Sequence, residues 1–420
     1  MLQTVDFNIG MQNNKSNFIK LWLSDAAYAV ASALSTGSVL TAFFLRGGIS
    51  EGQIGGYLSV IQLVNFAISM LLAGVSSRSK DTRRPLFRIT AVSGAVTALH
   101  ALFCLFGTDT PVFFPTVLLI GCVIAILTAL RTIYSYKLPC EVMDLRYYSV
   151  YAGYQGLFIG AAGISVGFLL PLFYEHYSFM TVTGCAFALS GIFHLLSATL
   201  VYRLVPCGTT DTPDETQLES RGGSVFAGVA ALWKHKAFRA LLLPNILRGF
   251  GAGLISMYSV FVISEGIFTE ETVSLTTAAL NIGTLLSCFI YVWAVRKIGI
   301  PMTGLLGCTV FVLLCFSVLG SPMVCLILYT AAYVGYNMVC CAIPDMIYRS
   351  VGSDIISLFQ TWRLAMTQLG LTVSTALYSI LIEQISVIWI LVIGTAAFLL
   401  CGVGYYLYYK VYSKDAFLVS

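Results

Sequence analysis

Three charged side chains stand inside stretches that otherwise read as membrane spans: Asp25 in LWLSDAAYAV, Arg131 in ALRTIYSY and Arg248 in PNILRGFGAG. Arg363 lies in a fourth such stretch, FQTWRLAMTQ, and Asp345 closes another apolar run. A carboxylate or guanidinium moved into hydrocarbon costs several kcal/mol unless it meets water, a proton or an opposite charge. The chemistry such groups offer is proton uptake at a carboxylate and forked binding of an oxyanion at a guanidinium. Helical spacing gives each charge polar company. Tyr28 and Ser32 follow Asp25 on one face, Thr128, Tyr134 and Ser135 flank Arg131, and Asn245 precedes Arg248. Tyr333, Tyr336 and Asn337 line one side of the run ending at Asp345, while Gln360 and Thr367 lie a turn either side of Arg363.

Plainer readings stand beside these. A charge near the end of a span can snorkel to the headgroups, which suits Arg363 as well as a site does. Asn281, Asn337 and Gln360 suit bridges between helices, His100 and His194 suit packing, and RYYSVYAGY suits a tyrosine belt at the interface. No phosphate-cradling loop, metal-ligand spacing or nucleophile with its base occurs, so no enzyme, cofactor, metal or nucleic-acid partner is expected. The twelve cysteines lie mostly inside apolar runs without a CxxC pair and read as small buried hydrophobes.

Long apolar elements must position these groups. Only 10% of the 420 residues are charged and 58% are hydrophobic, with mean hydropathy +0.87. A soluble domain carries about a quarter charged residues, so the chain belongs in a bilayer. Runs long enough to cross it lie near 18–45, 53–75, 86–106, 112–136, 149–173 and 179–203, then near 237–263, 272–295, 302–320, 322–347, 355–382 and 386–410. The runs at 302–320 and 322–347 meet at GSP, which demands a tight turn. The expected division is a six-helix bundle at 1–203, a linker at 204–236 and a second six-helix bundle at 237–420. The linker contains PCGTTDTPDETQLESRGG and ends in SVFAGVAALWKHKAFRALLL, where an apolar stripe beside Lys234, Lys236 and Arg239 suits a helix lying on the membrane surface or an ordinary linker end.

Lysine and arginine set the orientation. With the N-terminus inside, the inner segments hold nearly all of them, from Lys15 and Lys20 to Lys410 and Lys414, whereas the outer loops keep Arg46 among Glu51, Asp109, Glu175, Glu265, Glu270, Glu271 and Glu383. Both termini are expected in the cytoplasm. The polar first twenty residues lack an apolar core with a cleavage site, so no removable leader is expected.

The two halves repeat. Setting Pro139 on Pro344 places Leu138 on Ile343, Val142 on Ile347 and Gln155 on Gln360 without a gap, and an acid (Glu141, Asp345) closely follows each proline. Twelve spans in two sixes, a central linker and a basic loop after span 2 resemble the major facilitator superfamily. That family's loop signature is Gly, three residues, an acid or Asn, a base, any residue, Gly, any residue and two bases. Its register falls on Gly74, Arg78, Ser79, Asp81, Arg83 and Arg84. The glycine and the closing bases match; Arg78, Ser79 and Asp81 depart, which bears on the charge network latching this loop in the family. The Gly-Pro-x-x-Gly-Gly element of the family's drug antiporters is absent from span 5, which instead carries Gly156, Gly160, Gly163 and Gly167 at the spacing of close helix packing.

The resemblance implies an all-α integral membrane fold of two pseudo-symmetric bundles, with spans 1, 4, 7 and 10 lining a central cavity. On that frame Asp25, about 10 Å inside its span, is expected to face Arg131, and Arg248 to face Asp345. Asp25, Tyr28, Arg131, Tyr134, Asn245, Arg248, Tyr336, Asn337, Gln360 and Arg363 become the substrate or coupling residues; Gly74, Arg83, Arg84, Glu141 and Asp345 form the cytoplasmic gate. The expected function is a secondary transporter that moves a small polar or anionic organic solute by alternating access, coupled to a proton or other ion. It would act as a monomer in a plasma membrane of bacterial inner-membrane type. The alternatives are a multidrug/proton antiporter, with Asp25 recognising cationic lipophiles, and a non-transporting receptor or scaffold.

Overall fold

The computed structural model describes residues 12–72, 81–107, 112–143, 148–206, 233, 236–350 and 353–416. Twelve of its helices are long and apolar enough to cross a membrane. Spans 1 to 6 are Lys15–Arg46, Glu51–Leu71, Arg83–Leu105, Phe113–Ser135, Gln155–His176 and Phe179–Tyr202. Spans 7 to 12 are Phe238–Ser264, Leu275–Ile298, Ile300–Leu319, Pro322–Ile343, Trp362–Leu381 and Val387–Tyr412. No strand occurs among the described residues. Large apolar side chains face outward, with Leu105 76% and Phe289 67% exposed; such a surface belongs against lipid tails. The number of spans is the one the hydropathy predicts. Gly74 and most of the linker fall outside the described residues, as does the amphipathic segment before Trp233.

Local sequence explains most boundaries. Span 2 starts at a capping box, with Ser50 accepting from the Gln53 amide while the Gln53 side chain accepts from the Ser50 N–H. Ser178 caps span 6 by accepting from the Thr181 N–H. Spans 9 and 10 are joined through Gly320 and Ser321 alone, with Pro322 opening the next helix, as GSP requires. Two spans are not uniform α-helix. Span 1 is broken between Ser35 and Ser38, where Gly37 takes a φ of +57° that a side chain would resist. Span 9 finishes as a tighter 3₁₀ stretch, Val312–Leu319.

The first six and last six spans meet along two seams, span 2 against span 11 and span 5 against span 8. The four glycines of span 5 form the second seam. A β-carbon at Gly167 would lie 2.6 Å from the Ala278 backbone nitrogen and at Gly160 2.7 Å from Leu285, and at Gly163 it would run into the Asn281 amide. At Gly156 the nearest atom is Cys288 Sγ, 3.8 Å away. The helices thus diverge toward the membrane face that carries Gln12 and Ala416, here the near side. Side-chain hydrogen bonds between the halves, among the described residues, are Ser38–Thr277 at 2.7 Å and Ser59–Thr375 at 3.0 Å, both toward the far side. There the cores also merge, for Val260 of span 7 is buried with Phe43, Phe44 and Tyr57. The near-side core of Phe18, Leu21, Leu86, Leu138, Val142 and Val201 draws on the first half alone.

Candidate functional site

Span 1 is zipped to span 6 by small polar groups: Ser24 Oγ meets Ser197 Oγ at 2.9 Å, and Ser190 Oγ donates to the Ala31 carbonyl at 2.7 Å. This fixes the rotation of span 1 and with it the placement of Asp25 and Tyr28, both half-buried. Asp25 Oδ2 accepts from Gln155 Nε2 of span 5 at 2.9 Å. The Arg131 guanidinium carbon lies 3.3 Å from the centre of the Tyr28 ring, and His194 meets that ring edge-on at 5.3 Å. His194 is bound through Nδ1 to the Ser190 carbonyl at 2.8 Å, which suits its expected packing role.

The expected Asp25–Arg131 ion pair is therefore corrected. The ion pairs among the described residues are those of Asp81 with Arg83 and Arg84. Gln155 takes the carboxylate, and Tyr28, one helical turn deeper, takes the cation on its π face. Arg131 Nε remains buried without a hydrogen-bond partner. Tyr134 packs on the near-side apolar cluster rather than joining this group.

In the second half, Arg248 is 9% exposed. Its Nη2 donates to Cys340 Sγ of span 10 at 3.1 Å, and Nε and Nη1 have no partner. Asn245, a turn earlier, is committed: Nδ2 donates to the Leu241 carbonyl at 2.7 Å, and Oδ1 accepts from the Tyr405 hydroxyl of span 12. Asn337 donates to Thr284 of span 8 at 3.4 Å, as a bridge between helices. Tyr336 stacks on Phe398 and neighbours Arg248. Arg363 is 8% exposed, so it does not snorkel; with Asn245, Trp362 and Met366 it lines a cavity of about 10 Å³, room for one water. The side chains of Asp345 and Gln360, and hence the expected Arg248–Asp345 pair, lie outside the described residues.

No family model and no curated protein matches the sequence. Solved structures match the architecture over nearly all its length. The D-xylose–proton symporter superposes with a TM-score of 0.72 at 14% identity, covering 93% of this chain and 97% of the symporter. For the nucleoside transporter NupG the TM-score is 0.65 at 15% identity, covering 95% of this chain and all of NupG. A bacterial homolog of the human lysosomal transporter Spinster, in an inward-facing and unoccupied conformation, gives 0.69 at 14%, covering 96% and 98%. The chain has the major facilitator fold. At such identities the likeness carries the fold alone, and with it a multi-pass membrane protein.

Within the major facilitator fold the loop after span 2 sits at the near side, and the described part of it is tied to its own half. Arg83 grips Asp81 with both ends of its guanidinium, Nε–Oδ1 at 2.9 Å and Nη2–Oδ2 at 3.1 Å, while Nη1 donates to the Leu204 carbonyl. Thr82 donates its N–H and hydroxyl to Glu141 Oε2 at 3.0 and 2.7 Å. Arg84 is exposed, 3.6 Å from Asp81. The Arg83 fork holds the Asp81 carboxyl below its ordinary value. Of the expected gate residues, Arg83 and Glu141 come together around the start of span 3, between the ends of spans 4 and 6.

Four participants were not among the expected site residues: Gln155, Cys340, Tyr405 and Asp81. Gln155 had a signal, since the internal repeat sets it on Gln360, and Asp81 had one in its departure from the loop signature. Cys340 and Tyr405 had none.

Proposed function

We propose that the chain is a secondary transporter that moves a small polar or anionic organic solute by alternating access, coupled to protons. The observation carrying this reading is the asymmetry of the seam: the halves are hydrogen-bonded and share a buried core toward the far side, while on the near side spans 5 and 8 diverge and span 2 alone keeps apolar contact with the second-half core, through Phe66 and Met70. The lysine and arginine pattern assigns the near side to the cytoplasm, so this arrangement is an inward-facing one, the state named for the Spinster homolog. Asp25, Arg131 and Arg248 lie on spans 1, 4 and 7, between the sealed end and the diverging end, where an alternating-access carrier holds its solute. The nucleoside transporter and the xylose–proton symporter that share the fold support a small polar solute and proton coupling.

Each chain holds both halves and so a complete path, which makes the monomer the working unit. The domain division at 1–203, 204–236 and 237–420, the plasma-membrane location and cytoplasmic termini belong to the same proposal. The test is counterflow in proteoliposomes against a pooled metabolite library, with and without a pH gradient. Exchange of a polar or anionic solute, accelerated by the gradient, is the expected result. Absence of any flux would mean a receptor or scaffold, and flux of cationic dyes alone would mean a drug exporter.

A further inference from the structure

Arg248 lies ten residues into span 7 from Phe238, about 15 Å along the helix, deep in the membrane. A guanidinium is always charged, and leaving two of its nitrogens buried and unpartnered costs several kcal/mol. Among the described residues its charged or titratable neighbours are Cys340, Tyr336, Tyr405 and Cys401, none of them a carboxylate, and the Tyr405 hydroxyl is already given to Asn245. Arg363, near Tyr405, adds charge of the same sign. Tyr336 lies beside the same sulfur that takes the Arg248 bond. A strong donor is thus spent on a thiol, a weak acceptor, where an anionic oxygen would satisfy the guanidinium with the tyrosine beside it.

We propose that Arg248 and Tyr336 form the subsite for the oxyanion group of the solute, a carboxylate or phosphate, which displaces Cys340 Sγ on binding. The inference rests on the reading of an anionic solute and deepens it by assigning the charge to the second half. Arg131 is not the receptor, because its cation already lies on the Tyr28 ring. The guanidinium forks onto the oxyanion with charge-assisted hydrogen bonds, and the anion removes the penalty that the empty site carries.

The test follows N-ethylmaleimide modification of Cys340 by peptide mass spectrometry on the purified full chain. Inorganic phosphate or succinate at millimolar concentration slows Cys340 modification about tenfold, the worth of one charge-assisted hydrogen bond. Modification of the exposed Cys185 and Cys288 stays unchanged, and sucrose has no effect. Arg248→Gln abolishes the protection and Arg248→Lys keeps part of it. A second measurement does not need the thiol to react: the same anions raise the thermal midpoint of the native chain but not of Arg248→Gln. Protection by phosphate alone or succinate alone identifies which oxyanion the solute carries. Anion effects absent from both measurements, or surviving in Arg248→Gln, overturn the proposal. Counterflow separates the two readings: protection without anion flux removes the transporter and keeps the subsite, and anion flux with Cys340 and the midpoint indifferent does the reverse.

Discussion

Arg131 rests on the face of Tyr28, guanidinium carbon 3.3 Å from the ring centre, and the repeat that sets Pro139 on Pro344 sets Arg131 on Tyr336, the neighbour of Arg248. Each half therefore brings one arginine and one tyrosine together across its equivalent spans, with the roles exchanged: arginine on span 4 and tyrosine on span 1, then tyrosine on span 10 and arginine on span 7. In the first half the ring answers the cation. In the second the tyrosine neighbours the cation, and Nε and Nη1 of the guanidinium have no partner among the described residues.

The first couple predicts a split between two substitutions of Tyr28. Phenylalanine keeps the π face, so Tyr28→Phe should transport within about twofold of the native rate. Tyr28→Leu removes a desolvated cation–π contact and should cost about tenfold or more. Initial rates at equal protein density in vesicles decide it. Equal losses in both variants would move the role from the ring to the hydroxyl.

Asp25 is the embedded acid of the described site, and its bond from Gln155 is one that a neutral amide can also accept. Asp25→Asn should therefore fold and keep counterflow, while losing accumulation driven by a pH gradient. Comparing the two fluxes in one vesicle preparation checks this. Accumulation that persists in Asp25→Asn would place proton coupling elsewhere.

The fold was legible because bilayer crossing is a one-dimensional demand: runs of apolar residues and the side on which lysine and arginine fall are enough for twelve spans. The span 5 glycines were legible as packing for a similar reason, since spacing of three and four residues defines one helix face. The site was legible only in part. Residue counting gives approximate depth along a span but not rotation about it, so Asp25 and Arg131, expected at one level, take different partners. Those partners, Gln155 and Tyr28, win because span 5 approaches span 1 from a direction that sequence spacing does not encode. Tyr405 reaches Asn245 from span 12 in the same way. The break at Gly37 escaped because one left-handed residue leaves no trace in a hydropathy pattern.

The span 5 glycines predict a graded series. Gly156→Ala has 3.8 Å of room and should be near neutral. Gly163→Ala meets the Asn281 amide and Gly167→Ala the Ala278 backbone; a side chain can swing aside and a backbone cannot. Thermal midpoints should therefore fall in the order Gly156→Ala, Gly163→Ala, Gly167→Ala, with the last losing about 1–3 kcal/mol through overpacking. A flat series would mean that the two halves are not in van der Waals contact along this seam.

The Arg83 fork lowers the Asp81 carboxyl below its ordinary value of 3.8. A carboxyl lowered in the folded chain contributes stability above its ordinary value and loses it as pH falls through the lowered folded value. Native protein should thus be more stable than Asp81→Asn near neutrality, with the gap closing in acid. High salt should narrow the gap as well, because the pair is partly exposed. Midpoints of both proteins across a pH series measure it. A gap that opened only in acid would contradict the hydrogen-bond geometry.

Ser38 and Thr277 join the halves at the far side, hydroxyl to hydroxyl at 2.7 Å, on spans 1 and 8. If the halves rock, this contact must part each time the far side opens, and each oxygen then finds water instead. Losing one such bond costs about 1 kcal/mol, small enough for a gate that opens often. A covalent link at the same place has no such freedom. The double variant Ser38→Cys with Thr277→Cys, joined by a short bifunctional maleimide, should hold the far side shut and stop exchange, while each single variant treated alike keeps its activity. With a disulfide formed by mild oxidation instead, exchange should return on reduction. Full exchange in the cross-linked protein would mean that this contact stays closed throughout the cycle, and that solute crosses without the halves moving apart there.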